Sequence, residues 1–164
     1  MRLVVAAAGR WKARGKSGRK SGGKSGPERD LFEHYARRIT FPFELKEIEE
    51  KKPLKPPALK KREGELLLAL APEGAVIVAL DESGQTLTSA AFADKLGGWR
   101  MDGVKHVVFM IGGAEGLDDT VRKKARLVMA LGAMTWPHLL VRALLAEQVY
   151  RAQCILSGHP YHRG

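Results

Sequence analysis

Three short segments hold the residue types best suited to chemistry. In "VVFMIGGAEG" (Val107–Gly116), Gly112, Gly113 and Gly116 follow an apolar run directly and precede Asp118 and Asp119. Glycines at such a turn permit positive φ and close approach of the backbone to a ligand. The spacing is not the dinucleotide fingerprint, and no basic residue stands in the turn to balance a phosphate. Glu115, Asp118 and Asp119 make a polyphosphate still less suitable, and a plain tight turn is the competing reading. In "LGAMTWPH" (Leu131–His138), large apolar residues crowd a connection. Such a loop either packs on its own protein or lines a pocket for a flat aromatic ligand. The closing "HPYHRG" (His159–Gly164) brings together two histidines, a tyrosine and an arginine. No acidic or cysteine companion is near enough in sequence for a metal site, so none is expected. Tyr161 suits stacking on a base and Arg163 suits a phosphate, which reads as an RNA-facing surface.

A fourth segment has the right letters in the wrong place. "GRKSGGKS" (Gly18–Ser25) fits the nucleotide-binding P-loop, and "VIVALD" (Val76–Asp81) supplies an apolar strand ending in aspartate. A working P-loop joins a strand directly to a helix opened by its Lys-Ser/Thr. Here nine residues separate Ala8 from Gly18, and Gly26-Pro27 follows at once. The tract is also a crude repeat of "GKSG" and "RKSG", which generates the pattern from composition alone. The ATPase reading is set aside.

Charge points the same way as the tail. The 164-residue chain carries a formal +10. Residues 10–25 hold seven cations (Arg10, Lys12, Arg14, Lys16, Arg19, Lys20 and Lys24) and no acid, leaving 21 cations against 18 acids elsewhere. A polyanion-seeking arm and a solvated loop both fit such a tract. The single cysteine, Cys154, excludes an internal disulfide, suits a reducing cytoplasm and lies in an apolar stretch as an inert packed thiol. No apolar run approaches the ~20 residues of a membrane span, so neither a membrane nor a metal is expected as a partner.

The elements that must position these segments follow from the apolar patterning. Strand-length runs occur at Leu3–Ala8, Phe43–Ile48, Val76–Leu80 and Val107–Ile111, with a less distinct fifth at Leu127–Leu131. Helical patterns fall at Glu28–Ile39, Ala58–Ala71, Ser89–Trp99, Asp118–Ala125 and Leu139–Leu156. This alternation predicts an α/β fold, a mainly parallel sheet flanked by helices. One domain over residues 1–164 is expected, with a basic Gly/Lys/Ser-rich loop at about 10–26. Ligands of such sheets bind beyond the carboxyl ends of the strands, which directs attention to Asp81–Gly84, Gly112–Gly116 and Met134–His138. The last helix is apolar over most of its circumference. That implies either a central helix of the monomer or a second subunit to cover it.

"FMIGGAEG", "MTWPHLLVRALLAEQVYRA" and "HPYHR", together with "LVVAAAG", "PFELKEIE", the "EGE" at Glu63–Glu65 and "ALDESGQTLTS", resemble the ribosomal RNA large subunit methyltransferase H family of bacteria. The resemblance covers nearly the whole chain. The departure is the basic repeat, because typical members pass from first strand to first helix through a much shorter loop. The family's enzymes are of the SPOUT class and methylate N3 of a pseudouridine.

The resemblance implies S-adenosylmethionine as cofactor, a C-terminal trefoil knot, a homodimer and a target presented on the assembled ribosome. It implies a cofactor pocket formed by Leu80, Gly112, Leu131, Gly132, Ala133, Met134, Thr135 and Trp136. Expected roles in the chemistry are His162 as base, Arg142 or Arg163 as a stabiliser of charge on the uracil oxygens, and Tyr161 as a stacking or orienting group. The basic residues Arg10 to Lys24 are the expected RNA contacts. The alternative is a ribosome-associated RNA-binding module without catalysis, which needs no cofactor pocket.

Overall fold

A computed structural model describes residues 1–11 and 26–162. Five strands, β1 (Arg2–Ala8), β2 (Phe43–Ile48), β3 (Val76–Thr86), β4 (His106–Ile111) and β5 (Leu127–Ala130), form one sheet in the order β2-β1-β4-β3-β5. Every pairing is parallel. The helices are α1 (Pro27–Ala36), α2 (Pro56–Ala69), α3 (Ser89–Met101), α4 (Asp119–Lys124) and α5 (His138–Ser157).

Continuously apolar strands are covered on both faces, as parallel sheets require. Alternate side chains divide the core in two. Leu3, Val5, Ala7, Val78, Phe109 and Ile111 pack with Phe32 of α1, Phe92 and Leu96 of α3, and Leu145 and Val149 of α5. Val4, Ala6, Ala79, Val108 and Met110 pack with Leu67 of α2, and with Leu117 and Val121 at α4. Thus α1, α3 and α5 lie on one face, while α2 and α4 lie on the other.

Helix α5 runs between α1 and α3. At one crossing, a Cβ on Gly97 would stand 2.9 Å from the Leu156 side chain. Much of the apolar circumference of α5 is therefore covered within one chain, although Leu139, Leu140, Val141 and Leu144 are only half-buried. Cys154 is buried, as its setting predicts.

Among the boundaries that differ from the sequence reading, three have a clear local reason. Both Pro56 and Pro57 enter the first turn of α2, where a missing N–H costs nothing. Helix α1 stops at Ala36, and Pro42 O then accepts from Leu3 N at 2.8 Å, which sets β2 beside β1. Strand β3 does not end at Leu80. Leu80 and Gln85 both face Met129 of β5, so Asp81–Gly84 loop out and the strand resumes. Gly84 makes that possible, since a Cβ there would lie 2.6 Å from Met129 backbone atoms. The less distinct fifth run is a strand, Leu127–Ala130.

Candidate active site

Beyond the carboxyl ends of β3, β4 and β5, and against the first turn of α5, lies a cavity of about 780 Å³. That is within the usual range for a small-molecule site. Leu80, Ile111, Met129 and Leu131 give it apolar walls. Two loops close it.

The first is the glycine turn after β4. A Cβ on Gly112 would stand 2.4 Å from the Gly116 carbonyl carbon, so only glycine lets the turn fold back this tightly. Gly116 adopts φ +75° and its amide donates to Gly113 O at 3.1 Å. From α2, the Glu63 carboxylate supports the turn and accepts from the Gly113 amide. Burial raises the Glu63 pKa, the Gly113 amide opposes that rise, and nearby Glu115 adds to it. Gly64 lets α2 come this close, since a Cβ there would lie 2.8 Å from Asp118 Cβ.

The second loop, residues 131–137, turns at Gly132 with φ +110°. Trp136 Nε1 donates to Leu131 O at 3.2 Å and folds the loop upon itself. Thr135 Oγ1 donates to Glu82 Oε2 at 3.2 Å, which ties this loop to the segment looped out of β3. Met134 is 74% exposed and Trp136 39%, unusual for large apolar side chains beside a cavity.

The polar wall is mainly acidic in effect. Asp81 accepts from the Ser83 amide and hydroxyl and from Arg122 Nη1 at 2.9 Å. Burial disfavours its charge, but those donors prevail and hold its pKa below the ordinary value. Arg122 is further neutralised by Asp119. Glu82 and Glu115 also line the cavity, with Lys60 as its other lysine or arginine. His138, the first residue of α5, has a lowered pKa because burial and then the positive Arg142 oppose protonation. This donor set suits an apolar, cationic or zwitterionic ligand and not a polyphosphate. A sulfonium nucleoside such as S-adenosylmethionine fits, with apolar walls for its adenine, glycine backbone for hydrogen bonds and carboxylates for its positive charge.

Leu80, Gly112, Leu131, Gly132, Met134, Thr135 and Trp136 all line this cavity. Ala133 is exposed in the same loop but is not on the wall. Tyr161 is placed elsewhere. Its hydroxyl donates to Glu147 Oε1 at 3.1 Å, its ring meets Tyr150 edge-on at 4.8 Å, and Arg151 lies 4.8 Å above it. His162 is half-buried, with no hydrogen-bond partner for Nδ1 among the described residues.

Arg142 lies behind the cavity wall. It is fully buried, with Nη1 2.6 Å from Glu47 Oε1 and Nη2 donating to Ala8 O and Gly9 O, both at 2.8 Å. It braces the end of β1 against α5. Arg10 is an exposed partner of Glu49 at 3.7 Å. Lys12, Arg14, Lys16, Arg19, Lys20, Lys24 and Arg163 lie outside the described residues.

A family described as "Predicted SPOUT methyltransferase" matches residues 21–162. The chain belongs to the SPOUT methyltransferase family. It is 55% identical over 163 residues to the protein named ribosomal RNA large subunit methyltransferase H of Paramagnetospirillum magneticum, and 52% identical over 163 residues to that of Rhodospirillum centenum. Each alignment covers 99% of both chains. The Nitrobacter hamburgensis protein of the same name is 49% identical over 172 residues, covering both chains completely.

Among the described residues no cluster of three or more His, Cys, Asp or Glu could hold a metal, and no helix is long and apolar enough to cross a membrane. Sequence reasoning passed over Glu63, Glu82, Arg122 and His138 as wall or support. Glu82 and His138 lay inside segments marked by the strand-end rule, so that signal was available. Arg122 reaches the cavity, and Glu63 the glycine turn beside it, only through packing of α4 and α2, which no local pattern discloses.

Proposed function

We propose that the protein is an S-adenosylmethionine-dependent methyltransferase acting on N3 of a pseudouridine in large-subunit ribosomal RNA, on the assembled ribosome. The supporting observation is the strand-end cavity, whose wall contains seven of the eight residues that the family resemblance implies for the cofactor. Its apolar lining and carboxylates match a sulfonium nucleoside. Held by Leu80, Leu131 and the glycine turn, the cofactor would supply an electrophilic methyl group for transfer to N3, with its sulfur as the leaving group.

The chain's own contribution is to bind, align and exclude water. Leu80, Ile111 and Leu131 take up the apolar part of the ligand, and the glycine turn offers backbone groups. Thr135 and Glu82 hold the outer loop over it. A ring imide must lose a proton before N3 can attack, and His162 is the group proposed to accept it. Arg163 is proposed to steady the uracil oxygens and Tyr161 to orient the base.

Neither Tyr161 nor His162 lines the strand-end cavity. Glu147, the partner of Tyr161, borders a second cavity of about 300 Å³ that shares Leu131, Gly132 and Trp136 with the first. A homodimer in which the tail serves the neighbouring copy's cavity reconciles the two placements. It also covers the half-buried residues of α5.

The deciding experiment incubates large ribosomal subunits with isotopically labelled cofactor and locates the added methyl by mass spectrometry. Label on N3 of a pseudouridine supports the reading. Absence of label, with no calorimetric binding at millimolar cofactor, overturns it in favour of a non-catalytic RNA-binding module.

A further inference from the structure

Charge is divided unequally between the two faces of the sheet. Residues 49–65 and 118–126, which form or adjoin α2 and α4, hold ten lysines and arginines against six acids. The described residues as a whole hold 21 against 18. The net +4 of this layer thus exceeds the +3 of the whole described chain, and everything else is near neutral.

Pairing sharpens the contrast. Glu50 and Glu65 are held by Arg62, Glu49 by Arg10, and Asp119 by Arg122. Glu63 is turned in to Gly113. Lys51, Lys52, Lys55, Lys61, Lys123, Lys124 and Arg126 are exposed and none stands within 4.0 Å of a carboxylate among the described residues, Lys61 and Lys52 acting on Asp118 and Glu50 only at longer range. Lys60 continues this series onto the cavity wall. The layer is also free of exposed large apolar residues, which are Leu31, Met101, Met134, Trp136 and Leu156.

From these observations we infer that the α2/α4 layer is a phosphate-binding surface that seats structured RNA and leads its backbone to the cavity at Lys60. The inference rests on the proposed RNA substrate. Separate lysines without neighbouring aromatics suit backbone contacts, which position a nucleic acid without reading its bases. An anionic membrane is the less suitable partner, because surface-binding helices insert apolar side chains that this layer does not present.

The test compares two full-length triple variants with the parent chain. Lys61→Glu/Lys123→Glu/Lys124→Glu reverses charge on the layer. Arg37→Glu/Arg100→Glu/Lys105→Glu makes the same change of charge on exposed residues elsewhere. Binding to large-subunit ribosomal RNA is measured from low to moderate salt, and cofactor binding by calorimetry confirms an intact fold.

Each lost phosphate contact removes roughly 0.9 from the slope of log affinity against log salt. The layer variant is expected to lose about 2 to 3 from that slope and more than tenfold in affinity at low salt. The control variant is expected to keep the parent slope, and all three chains to bind cofactor alike. Equal slopes for the layer variant and the parent, or for the two variants, overturn the inference. So does binding to phosphatidylserine vesicles that the layer variant alone loses. If the parent adds no methyl group yet the layer variant still flattens the slope, the proposed reaction fails and the surface stands.

Discussion

The Arg142 guanidinium, itself fully buried, stands 2.6 Å from the partly exposed Glu47 carboxylate, joining the carboxyl ends of β1 and β2 to α5. Arg142 also holds Ala8 O and Gly9 O, and Glu47 also accepts from Trp11 N at 2.9 Å. Burial lowers the Arg142 pKa while Glu47 opposes that, so the charge persists because of its partner. Arg142→Met leaves two carbonyls without their side-chain donor and the Glu47 carboxylate with Trp11 N alone. Breaking such a pair from one side costs about 3–5 kcal/mol. Urea unfolding is expected to show that loss, and Glu47→Gln, which leaves the buried guanidinium without its counter-charge, should be destabilised comparably. A loss under about 1 kcal/mol in Arg142→Met would contradict the bracing role.

Glu63 yields a prediction with a definite pH sign. Its folded pKa is raised, chiefly by burial, so the folded state retains the proton to higher pH than the unfolded chain does. The associated stability is complete below the unfolded carboxyl value of about 4.3 and is lost as pH rises through the raised folded value. Glu63→Gln removes this loss and keeps an oxygen for the Gly113 amide. Relative to the parent, Glu63→Gln should therefore be more stable at pH 7 than at pH 4, as read by urea unfolding at both. Parallel stability curves would remove the argument. Glu63→Ala also deletes the acceptor, and a lost hydrogen bond of about 0.5–1.5 kcal/mol should weaken cofactor binding by roughly 2- to 12-fold.

The glycines of the site and those of the scaffold separate cleanly. Gly112→Ala places a methyl 2.4 Å from the Gly116 carbonyl carbon and 2.5 Å from its oxygen, both backbone atoms. The turn must open, at about 1–3 kcal/mol, and cofactor affinity should fall more than tenfold. Gly98, inside α3, has nothing within 4 Å of its added Cβ. Gly98→Ala should stabilise the chain by up to about 1 kcal/mol and leave cofactor binding unchanged. Calorimetry and urea unfolding on the two variants check both halves.

The sheet was legible because its evidence is local: "AVIVAL" and "VVFMI" are apolar on both faces, and glycine follows the second run at once. The strand-end rule then located the cavity without any fold in hand. The continuation of β3 past Asp81 was hidden, because "DESGQT" reads as a turn until Gly84 admits the Met129 backbone. The burial of Arg142 was hidden for a related reason. On a helical projection Arg142 lies away from Glu147 and Arg151 and resembles a free cation. Only the arrival of Glu47 from β2, 95 positions earlier in the chain, shows it to be interior. The α2/α4 charge layer is equally nonlocal, since its two lysine groups are about sixty residues apart in sequence.

The tail supports a final prediction that separates two candidate acids and bases. Burial, the Tyr35 hydroxyl and the Glu147 carboxylate all raise the Tyr161 pKa, so its hydroxyl stays protonated and donates to Glu147 at 3.1 Å. Tyr161 is therefore a donor throughout the working pH range and not a proton acceptor. Tyr161→Phe keeps the edge-on contact with Tyr150 and the cover of Arg151, losing only the hydroxyl bond, worth about 1 kcal/mol. Its single-turnover methylation should retain the parent's pH profile in shape. His162→Ala removes the proposed base, and single-turnover rates should fall by about 10²-fold or more, in the range typical of a lost general base. An unchanged rate in His162→Ala would take His162 out of the reaction. A new dependence on alkaline pH that Tyr161→Phe alone abolishes would instead make the tyrosyl oxygen the acceptor.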